Sequence, residues 1–462
     1  MPLLIRFVLA GLVSVAFAVQ AHAQGLIRDA EIELTLREWT DPILEVAGLE
    51  PNDVGLYIIN DPSLNAFVAN GQRIHLHTGL LIAAESPGQI KGVIGHETCH
   101  IACGHTVTRS RAAQTASRPA LISIGLGVLA IAAGAGDAGA ALIASSQQFA
   151  ALNFFIHTRA EEAAADAAAV SYLSALGESP AGIVEFFENY RYQEVLSDAR
   201  RYPYFRAHPL ASDRIRTTRA LAEETGLMDV PPDEKTQRQY EMMRAKLIGF
   251  LDRPARTYQL YPKTDESLPA IYARAIAAMQ AADIQEALRE TELLIEAEPD
   301  NPYFQELKGQ ILFESGRADE SVEPHARSLE LLPGHPLLLI NYARSLNARA
   351  EPGDLEAGEK ALRDALIAEP NNAFAWAQLA ISLEKLDRRA EAELATAESA
   401  YNIGDIQRAN IFARRAARDL ERGTPLWRRA DDIVAITDPS LEENRDAYRR
   451  AQRRFSISTD VQ

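Results

Sequence analysis

Cysteine is scarce in this chain, whose 462 residues include only Cys99 and Cys103. The two are four positions apart in a stretch that reads as a helix, where the Cβ geometry is poor for a disulfide. We therefore expect two small thiols packed in the protein interior. Contact with a metal or sensitivity to oxidation is the alternative.

Positively charged residues are also fewer than negatively charged ones. Lys and Arg number 47 against 64 Asp and Glu, the formal net charge is -17, and no long basic run occurs. Such a surface repels phosphate backbones, so the composition argues against nucleic acid as a partner. The rest of the composition, 47% hydrophobic and 24% charged, is ordinary for a globular protein. A chain of this length is expected to form two or three domains.

Long apolar runs are few, and the first lies at the N-terminus. Residues 1–23 have the layout of a signal peptide, with Arg6, an apolar stretch from Phe7 to Val19, and Ala21-His22-Ala23 as the cleavage site. The apolar stretch is shorter than the ~20 residues that a spanning helix needs. The mature protein is therefore expected to be secreted and to begin at Gln24.

The second apolar run is Pro119 to Gly136, which carries no charge. Its length could just span a bilayer, but the run lies between elements of one candidate site that must share a compartment. We expect a core helix or a loop in peripheral contact with a membrane. An enzyme embedded in the membrane through residues 119–136 is the alternative.

The first half of the chain mixes strand and helix signals. Short β-rich runs are separated by turn signals, among them Asn70-Gly71, and occur at Val54–Ile59, Ala66–Val68 and Arg73–His77. Helical patterns cover residues 24–49, with a break expected at Asp41-Pro42, and then residues 89–105 and 158–175. This half is predicted to be α+β.

Internal repetition marks the second half. Pro299 and Pro333 are 34 residues apart, the tetratricopeptide period, and Pro370 follows after 37. Small residues recur where paired helices must touch: Ala275 with Ala287, Gly309 with Ser321, and Ala380 with Ala392. We predict an all-α tetratricopeptide-repeat solenoid over residues 268–439, with four repeats and a degenerate fifth. A linker at 251–267 would precede it, and a C-terminal helix and tail at 440–462 would follow.

The strongest chemical signal is His96-Glu97-Thr98-Cys99-His100, an H-E-x-x-H motif within a predicted helix. Four-residue spacing places both imidazoles on one helix face, where they can supply half of a tetrahedral Zn²⁺ site. Glu97 could then take a proton from an attacking water and return it to a leaving amine. An incidental pair of histidines on a solvated helix is the competing interpretation of the motif alone.

A third metal ligand is sought downstream, where Glu162 and Asp166 share one face of a predicted helix. A carboxylate would complete a His₂Glu set, and Asp166 could orient a ligand imidazole. From spacing alone, however, ordinary surface acids are the better interpretation of these residues.

Three segments together resemble the M48 family of zinc metallopeptidases: residues 96–100, Arg159 with residues 162–166, and residues 207–215. The signal peptide ahead and the repeats behind make the chain similar to the periplasmic branch of that family. The resemblance implies a zincin-like (gluzincin) α+β metallopeptidase domain over residues 24–250. It also implies one Zn²⁺ per chain, with His96, His100 and Glu162 as the three ligands. Glu97 would be the general base, and Asp166 would be the partner of a ligand.

The same resemblance places His208 near the metal, as a removable fourth ligand or as a donor to the transition state, with Arg214 bracing the site. It implies a periplasmic endopeptidase acting on misfolded or stalled outer-membrane proteins, with a chaperone-like role. The repeats would recruit these protein substrates and the outer-membrane protein assembly machinery. The rival is a non-proteolytic adaptor or chaperone whose zinc site is capped by His208.

Three further histidines are expected to lie outside the site. His105 follows His100 by five residues and should point away from the metal face, as a structural histidine. His75 and His77 alternate along a predicted strand and should share a solvated sheet face, with lining of a substrate cleft as the alternative.

Overall fold

The structure is a computed structural model that describes residues 25–69, 71–105, 159–190, 208 and 212–445. It divides into two compact units, one containing residues up to 28 and 33–240, the other residues 29–32 and 241 onward. The predicted fold class is confirmed, since the first unit is α+β and the second is built of paired helices. The segments 1–23 and 119–136 lie outside the described residues. Within the described part of the chain, no helix has the length and hydropathy of a membrane span.

Four short strands of the first unit form one mixed sheet. They are β1 (Leu26–Ile27), β2 (Gly55–Ile59), β3 (Ala66–Ala69) and β4 (Arg73–His77). Their order is β1-β2-β4-β3, with β2 and β4 parallel and the two outer pairs antiparallel. The three predicted runs are therefore strands, and β1 was not predicted.

The first helix, α1 (Ala30–Val46), continues through Pro42, so the break expected at Asp41-Pro42 is wrong. Proline removes one backbone hydrogen bond, the one its missing N–H would donate to residue 38. Apolar side chains that are fully or almost fully buried lie on both sides of it and hold the helix in place: Leu36, Trp39, Ile43 and Leu44.

The next helices of the first unit are α2 (Thr78–Ala83), α3 (Pro87–Ala102), α4 (159–175), α5 (Ala181–Tyr190) and α6 (Ser212–Glu224). Residues of the candidate site lie on α3, α4 and α6. Ser86 begins α3 by accepting a hydrogen bond from the N–H of Gln89, and Pro87 occupies the first helical position. Nearly every residue of α3 is buried. A buried helix with histidines on it must provide partners for them inside the protein.

Small residues allow other helices to pack closely against α3. A Cβ placed on Gly95 would lie 3.2 Å from the Cα of Ala169 on α4. A Cβ placed on Gly182 of α5 would lie 2.1 Å from the carbonyl carbon of Gly88. A side chain at Gly182 would therefore clash with the backbone of Gly88, whereas one at Gly95 would make a tight contact. The short spacing at Gly95 brings side chains of α4 within reach of those on α3.

The second unit contains α7 (Glu234–Leu251) in part and α8 (Pro254–Leu260), the latter within the stretch expected to be linker. Over residues 268–436 five consecutive helix pairs follow: α9 (Leu268–Gln280) with α10 (Ile284–Ala297), α11 (Pro302–Glu314) with α12 (Ala318–Leu331), α13 (Pro336–Arg349) with α14 (Asp354–Ala368), α15 (Ala373–Lys385) with α16 (Arg389–Asn402), and α17 (Ile406–Asp419) with α18 (Pro425–Ile436). The fifth pair lies where the degenerate fifth repeat is expected.

Candidate metal centre

Three of the predicted site residues meet in the interior of the first unit. The Nε2 atoms of His96 and His100 are 3.2 Å apart. A carboxylate oxygen of Glu162 lies 3.2 Å from Nε2 of His96, and the other lies 3.6 Å from Nε2 of His100. All three side chains are buried, with exposed fractions of 3% or less. The geometry brings together two neighbouring turns of α3 and the first described turn of α4.

These separations fit a tetrahedral cation. Zinc binds nitrogen and oxygen ligands at about 2.0–2.1 Å, and the corners of such a tetrahedron are about 3.3 Å apart. The observed spacings of 3.2 to 3.6 Å, one from each imidazole to a different oxygen of Glu162, therefore suit one ion between the two imidazoles and this carboxylate. Imidazole and carboxylate donors are also the types that zinc accepts.

Asp166 and Arg214 fix the orientation of His96. Nδ1 of His96 lies 2.9 Å from Oδ1 of Asp166, whose two oxygens accept hydrogen bonds of 2.8 Å from Nε and Nη2 of Arg214. When Nδ1–H donates to this carboxylate, Nε2 keeps its lone pair and can bind a metal. The resemblance predicted both partners.

The charges of the site favour a positive species between the imidazoles. Burial alone would lower the pKa of His96, but hydrogen bonds to Asp166 and Glu162 outweigh burial and raise that pKa to about 9. Burial would raise the pKa of Glu162, and contacts with His208 and His96 instead hold it far below its usual range. A proton or a metal cation is stabilised by the same two carboxylates.

Glu97 is buried beside this cluster. Its side chain is 0% exposed, and neither carboxylate oxygen has a hydrogen-bond partner among the residues that the structure describes. Oε1 lies 3.5 Å from Nε2 of His208. A buried carboxylate of this kind is costly unless another molecule completes its hydrogen bonds.

His208 brings a fourth ligand atom to the cluster. Its Nδ1 lies 2.7 Å from Oε2 of Glu162 and 3.2 Å from Nε2 of His96. The ligand atoms of His96, His100, Glu162 and His208 all lie within 4.8 Å of one another. The sequence alone would have left His208 as a loop residue, and the resemblance placed it here.

His105 also contacts the cluster, and the expectation that it points away is wrong. Its Nδ1 lies 2.9 Å from Nδ1 of His100, and its side chain is buried. The expectation assumed a continuous helix. Instead α3 ends at Ala102, and Gly104, with φ of +70°, redirects the chain. A glycine next to the end of the helix was the available signal.

The two cysteines are joined by a disulfide, so the expectation of two buried thiols is wrong. Their Cα atoms are 5.2 Å apart, within the range that a disulfide spans. Cys99 is fully buried, whereas Cys103 is exposed at the C-terminal cap of α3. The end of the helix supplies the freedom that a helix interior would not.

His75 and His77 do not form a solvated sheet face, so that expectation is also wrong. The ring of His75 stacks between Tyr57 and Phe67, at centroid distances of 5.3 and 4.8 Å. His77 is buried, and its Nδ1 lies 2.9 Å from the hydroxyl of Ser63. Both histidines are structural parts of the sheet.

Most of the chain is similar in sequence to known proteins. Residues 28–222 match peptidase family M48. The chain is 24% identical over 419 residues to the beta-barrel assembly-enhancing protease of Escherichia coli (strain K12), covering 88% of this chain and 80% of that protein. It is 26% identical over 416 residues to the putative beta-barrel assembly-enhancing protease of Vibrio cholerae serotype O1, covering 86% and 82%. The solved MamA protein aligns at 15% identity with a TM-score of 0.29, over 42% of this chain and 96% of that one. Residues 28–222 thus match peptidase family M48, and the chain is homologous over most of its length to the beta-barrel assembly-enhancing proteases.

Proposed function

We propose that this protein is a periplasmic zinc-dependent endopeptidase. The observation that carries the proposal is the buried set of ligand atoms on His96, His100 and Glu162, next to Glu97, a carboxylate with no hydrogen-bond partner among the described residues. The family M48 domain at residues 28–222 supports the same class of reaction.

In this proposal His96, His100 and Glu162 hold one Zn²⁺ per chain. When bound, zinc supplies a Lewis acid that polarises a peptide carbonyl and acidifies a water molecule. The carboxylate of Asp166, held by Arg214, keeps the ring of His96 in the orientation and tautomer that present Nε2.

Glu97 is the proposed general base. Its oxygens would take the proton of the attacking water and deliver it to the nitrogen of the leaving amine. The burial of Glu97 suits this role, because a carboxylate without protein partners can hydrogen-bond a water or a substrate group instead.

His208 is the proposed removable fourth ligand. A catalytic zinc site keeps one position open, whereas four protein ligands close it. Because Nδ1 of His208 lies within the ligand set, we propose that the resting enzyme is capped and that proteolysis requires His208 to move away.

The same closed set favours a second candidate function. A permanently capped zinc would be structural, and the protein would act as a non-proteolytic adaptor or chaperone through its helix pairs. The two candidates differ in what Glu97 does, since a general base is needed only for cleavage.

The proposed substrates are misfolded or stalled outer-membrane proteins, with a chaperone-like role beside cleavage. Two features support this proposal. The relatives are named for enhancing beta-barrel assembly, and the five helix pairs can bind extended segments. We propose that the pairs also recruit the outer-membrane protein assembly machinery. Residues 1–23 would direct export to the periplasm, and residues 119–136 would supply peripheral membrane contact.

Proteolysis of an unfolded outer-membrane protein by wild type and Glu97→Gln tests the proposal, with zinc content measured in both. We expect equal zinc and a loss of at least about 100-fold in cleavage rate, since the variant keeps its bulk but loses the base. Glu223→Gln, an exposed carboxylate of α6, is the matched control and should cleave like wild type. Equal cleavage by Glu97→Gln would contradict the assignment of Glu97. No cleavage by wild type, together with protection of the substrate from aggregation, would favour the adaptor.

A further inference from the structure

We propose that the Cys99–Cys103 disulfide is a thiol-exchange switch that sets the zinc affinity of the candidate metal centre through His105. The inference rests on the proposed zinc site, and adds to it a covalent control that the hydrolytic reaction does not use. It starts from three neighbouring features of the structure: the bridge, the turn at Gly104 and the contact between His105 and His100.

The bridge lies directly on the metal-binding helix. Cys99 is the residue before His100, and Cys103 is the first residue after α3. The covalent link therefore spans the last turn of the helix, including His100 itself. A change in the conformation of this turn therefore changes the position of His100, a proposed ligand.

The segment that follows the bridge carries His105 to the ligand. After Cys103, the positive φ of Gly104 turns the chain so that Nδ1 of His105 comes within 2.9 Å of Nδ1 of His100. The other ring nitrogen of His100 faces the ligand set. Hydrogen-bond partners of this kind orient a ligand ring, and their loss typically costs about 10–100-fold in metal affinity.

The bridge contributes little to the overall stability of the fold. It closes a separation of only 4 residues, and the N–H of Cys103 already donates to the carbonyl of Cys99. Stabilisation by loop closure grows with loop length, so it is small here. The effect of the bridge is therefore local, on the path from Cys103 to His105.

The two sulfurs differ in access. Cys103 is exposed and Cys99 is fully buried, so an incoming thiolate meets the sulfur of Cys103. The proposed reductant is a protein with a pair of exposed thiols. Its first thiolate attacks Sγ of Cys103, the S–S bond breaks, and the electron pair leaves on Sγ of Cys99, which takes a proton. The second thiol then attacks the mixed disulfide, releases the thiol of Cys103 and leaves the reductant as a disulfide. Two electrons and two protons pass from the reductant to the bridge.

The test is the zinc affinity of purified mature protein, measured by competition with a chromophoric chelator before and after reduction. A phosphine serves as the reductant and is removed without air before the measurement. We expect reduction to weaken zinc binding by about 10–100-fold. Amide hydrogen exchange over residues 103–105 should accelerate at the same time, because the turn is released.

Two variants separate the switch from a general loss of stability. The double variant Cys99→Ala, Cys103→Ala should bind zinc like the reduced wild type and should not respond to the phosphine. His105→Ala, with the bridge intact, should show the same weakened affinity, and reduction should add little to it. Effects that travel through one contact are not additive, whereas independent effects are.

Several results would overturn the switch. These are free thiols in protein purified without reductant, equal zinc affinity in both redox states, or additive effects of reduction and His105→Ala. A second zinc bound by reduced wild type but not by the double variant would replace the switch by a thiolate metal site at Cys99, Cys103 and His105. If zinc affinity depends on the redox state but the protein cleaves no substrate, the result would support the switch and contradict the proposed peptidase function. Absence of zinc binding in both states would remove both.

Discussion

At the scale of single residues, the imidazoles of His96 and His100 are each oriented by the group that the second ring nitrogen contacts. Nδ1 of His96 meets Asp166, and Nδ1 of His100 meets His105. The partner of His96 could be predicted, because its motif resembles that of a known family. The partner of His100 could not, since its position depends on where α3 ends and not on helical spacing.

His208 is the residue whose replacement distinguishes two opposite roles. If it caps the metal, His208→Ala should raise the initial rate of proteolysis, because the position that an attacking water needs is then open. We expect this increase, given the position of Nδ1 inside the ligand set. Rates of wild type and variant on one unfolded substrate, at equal zinc occupancy, provide the measurement.

A donor role for His208 predicts the reverse sign. Loss of a group that stabilises the tetrahedral intermediate should cost roughly 100-fold or more in turnover. A decrease of that size would replace the cap by a donor. An unchanged rate would remove both roles.

At the scale of elements, the contact between α5 and the start of α3 gives a matched pair of substitutions. A Cβ at Gly182 would lie 2.1 Å from backbone of Gly88, whereas a Cβ at Gly88 would lie 3.6 Å from Cα of Gly182, an ordinary contact. Gly182→Ala should therefore lower the free energy of unfolding by about 1–3 kcal/mol. Gly88→Ala should leave it unchanged or raise it slightly, because alanine favours a helix. Urea unfolding of both variants provides the measurement, and equal stability would contradict the close approach of α3 and α5.

Among the helix pairs, His325 of α12 predicts a pH dependence of stability. Burial, and to a lesser extent the charge of Arg344, lower its pKa from 6.5 to about 4. The unfolded chain therefore binds a proton at a higher pH than the folded protein does. The contribution of this neutral histidine is complete above about pH 6.5 and is lost as pH falls towards 4, up to roughly 3 kcal/mol.

The measurement is urea unfolding of wild type and His325→Gln at several pH values between 7 and 4. Glutamine can keep a hydrogen bond to Ser345, whose hydroxyl lies 2.8 Å from Nδ1 of His325, but it does not titrate. The stability of the variant should fall less steeply with decreasing pH. Parallel pH profiles would mean that His325 is not buried in its neutral form.

The strands and most helices could be predicted because each follows a local pattern. Residues 55–59, 66–69 and 73–77 are strands with the expected turn signals between them. Pro42 was misjudged because burial of α1 on both sides of it outweighs one missing hydrogen bond. The environment of His75 also depends on its neighbours, since strand pairing sets Phe67 opposite it.

At the scale of the whole molecule, repetition could be predicted and the division into units could not. A 34-residue period indicates stacked helix pairs directly. Residues 29–32, however, belong with the second unit, where Lys246 lies 2.8 Å from Asp29 and 3.2 Å from Glu31. A buried ammonium needs such carboxylates, and no local pattern relates residues more than 200 positions apart.

Removal of the metal should act on one unit only. The four proposed ligands lie in the first unit, on α3, on α4 and at position 208, and none belongs to the five helix pairs. Binding stabilises only the state that holds the ligand, so a chelator should accelerate amide exchange over residues 87–102 and 159–175. Exchange over residues 268–436 should stay unchanged.

Glu162→Ala should cause loss of the metal without a chelator, because it removes a proposed ligand while leaving the others in place. It should reproduce the accelerated exchange without chelator and should show little further change when chelator is added. Glu161→Ala, one position earlier on α4, controls for loss of a carboxylate as such and should respond to chelator like wild type. Accelerated exchange across residues 268–436 in the metal-free protein would contradict the prediction, since it would mean that the helix pairs depend on the metal centre for their stability.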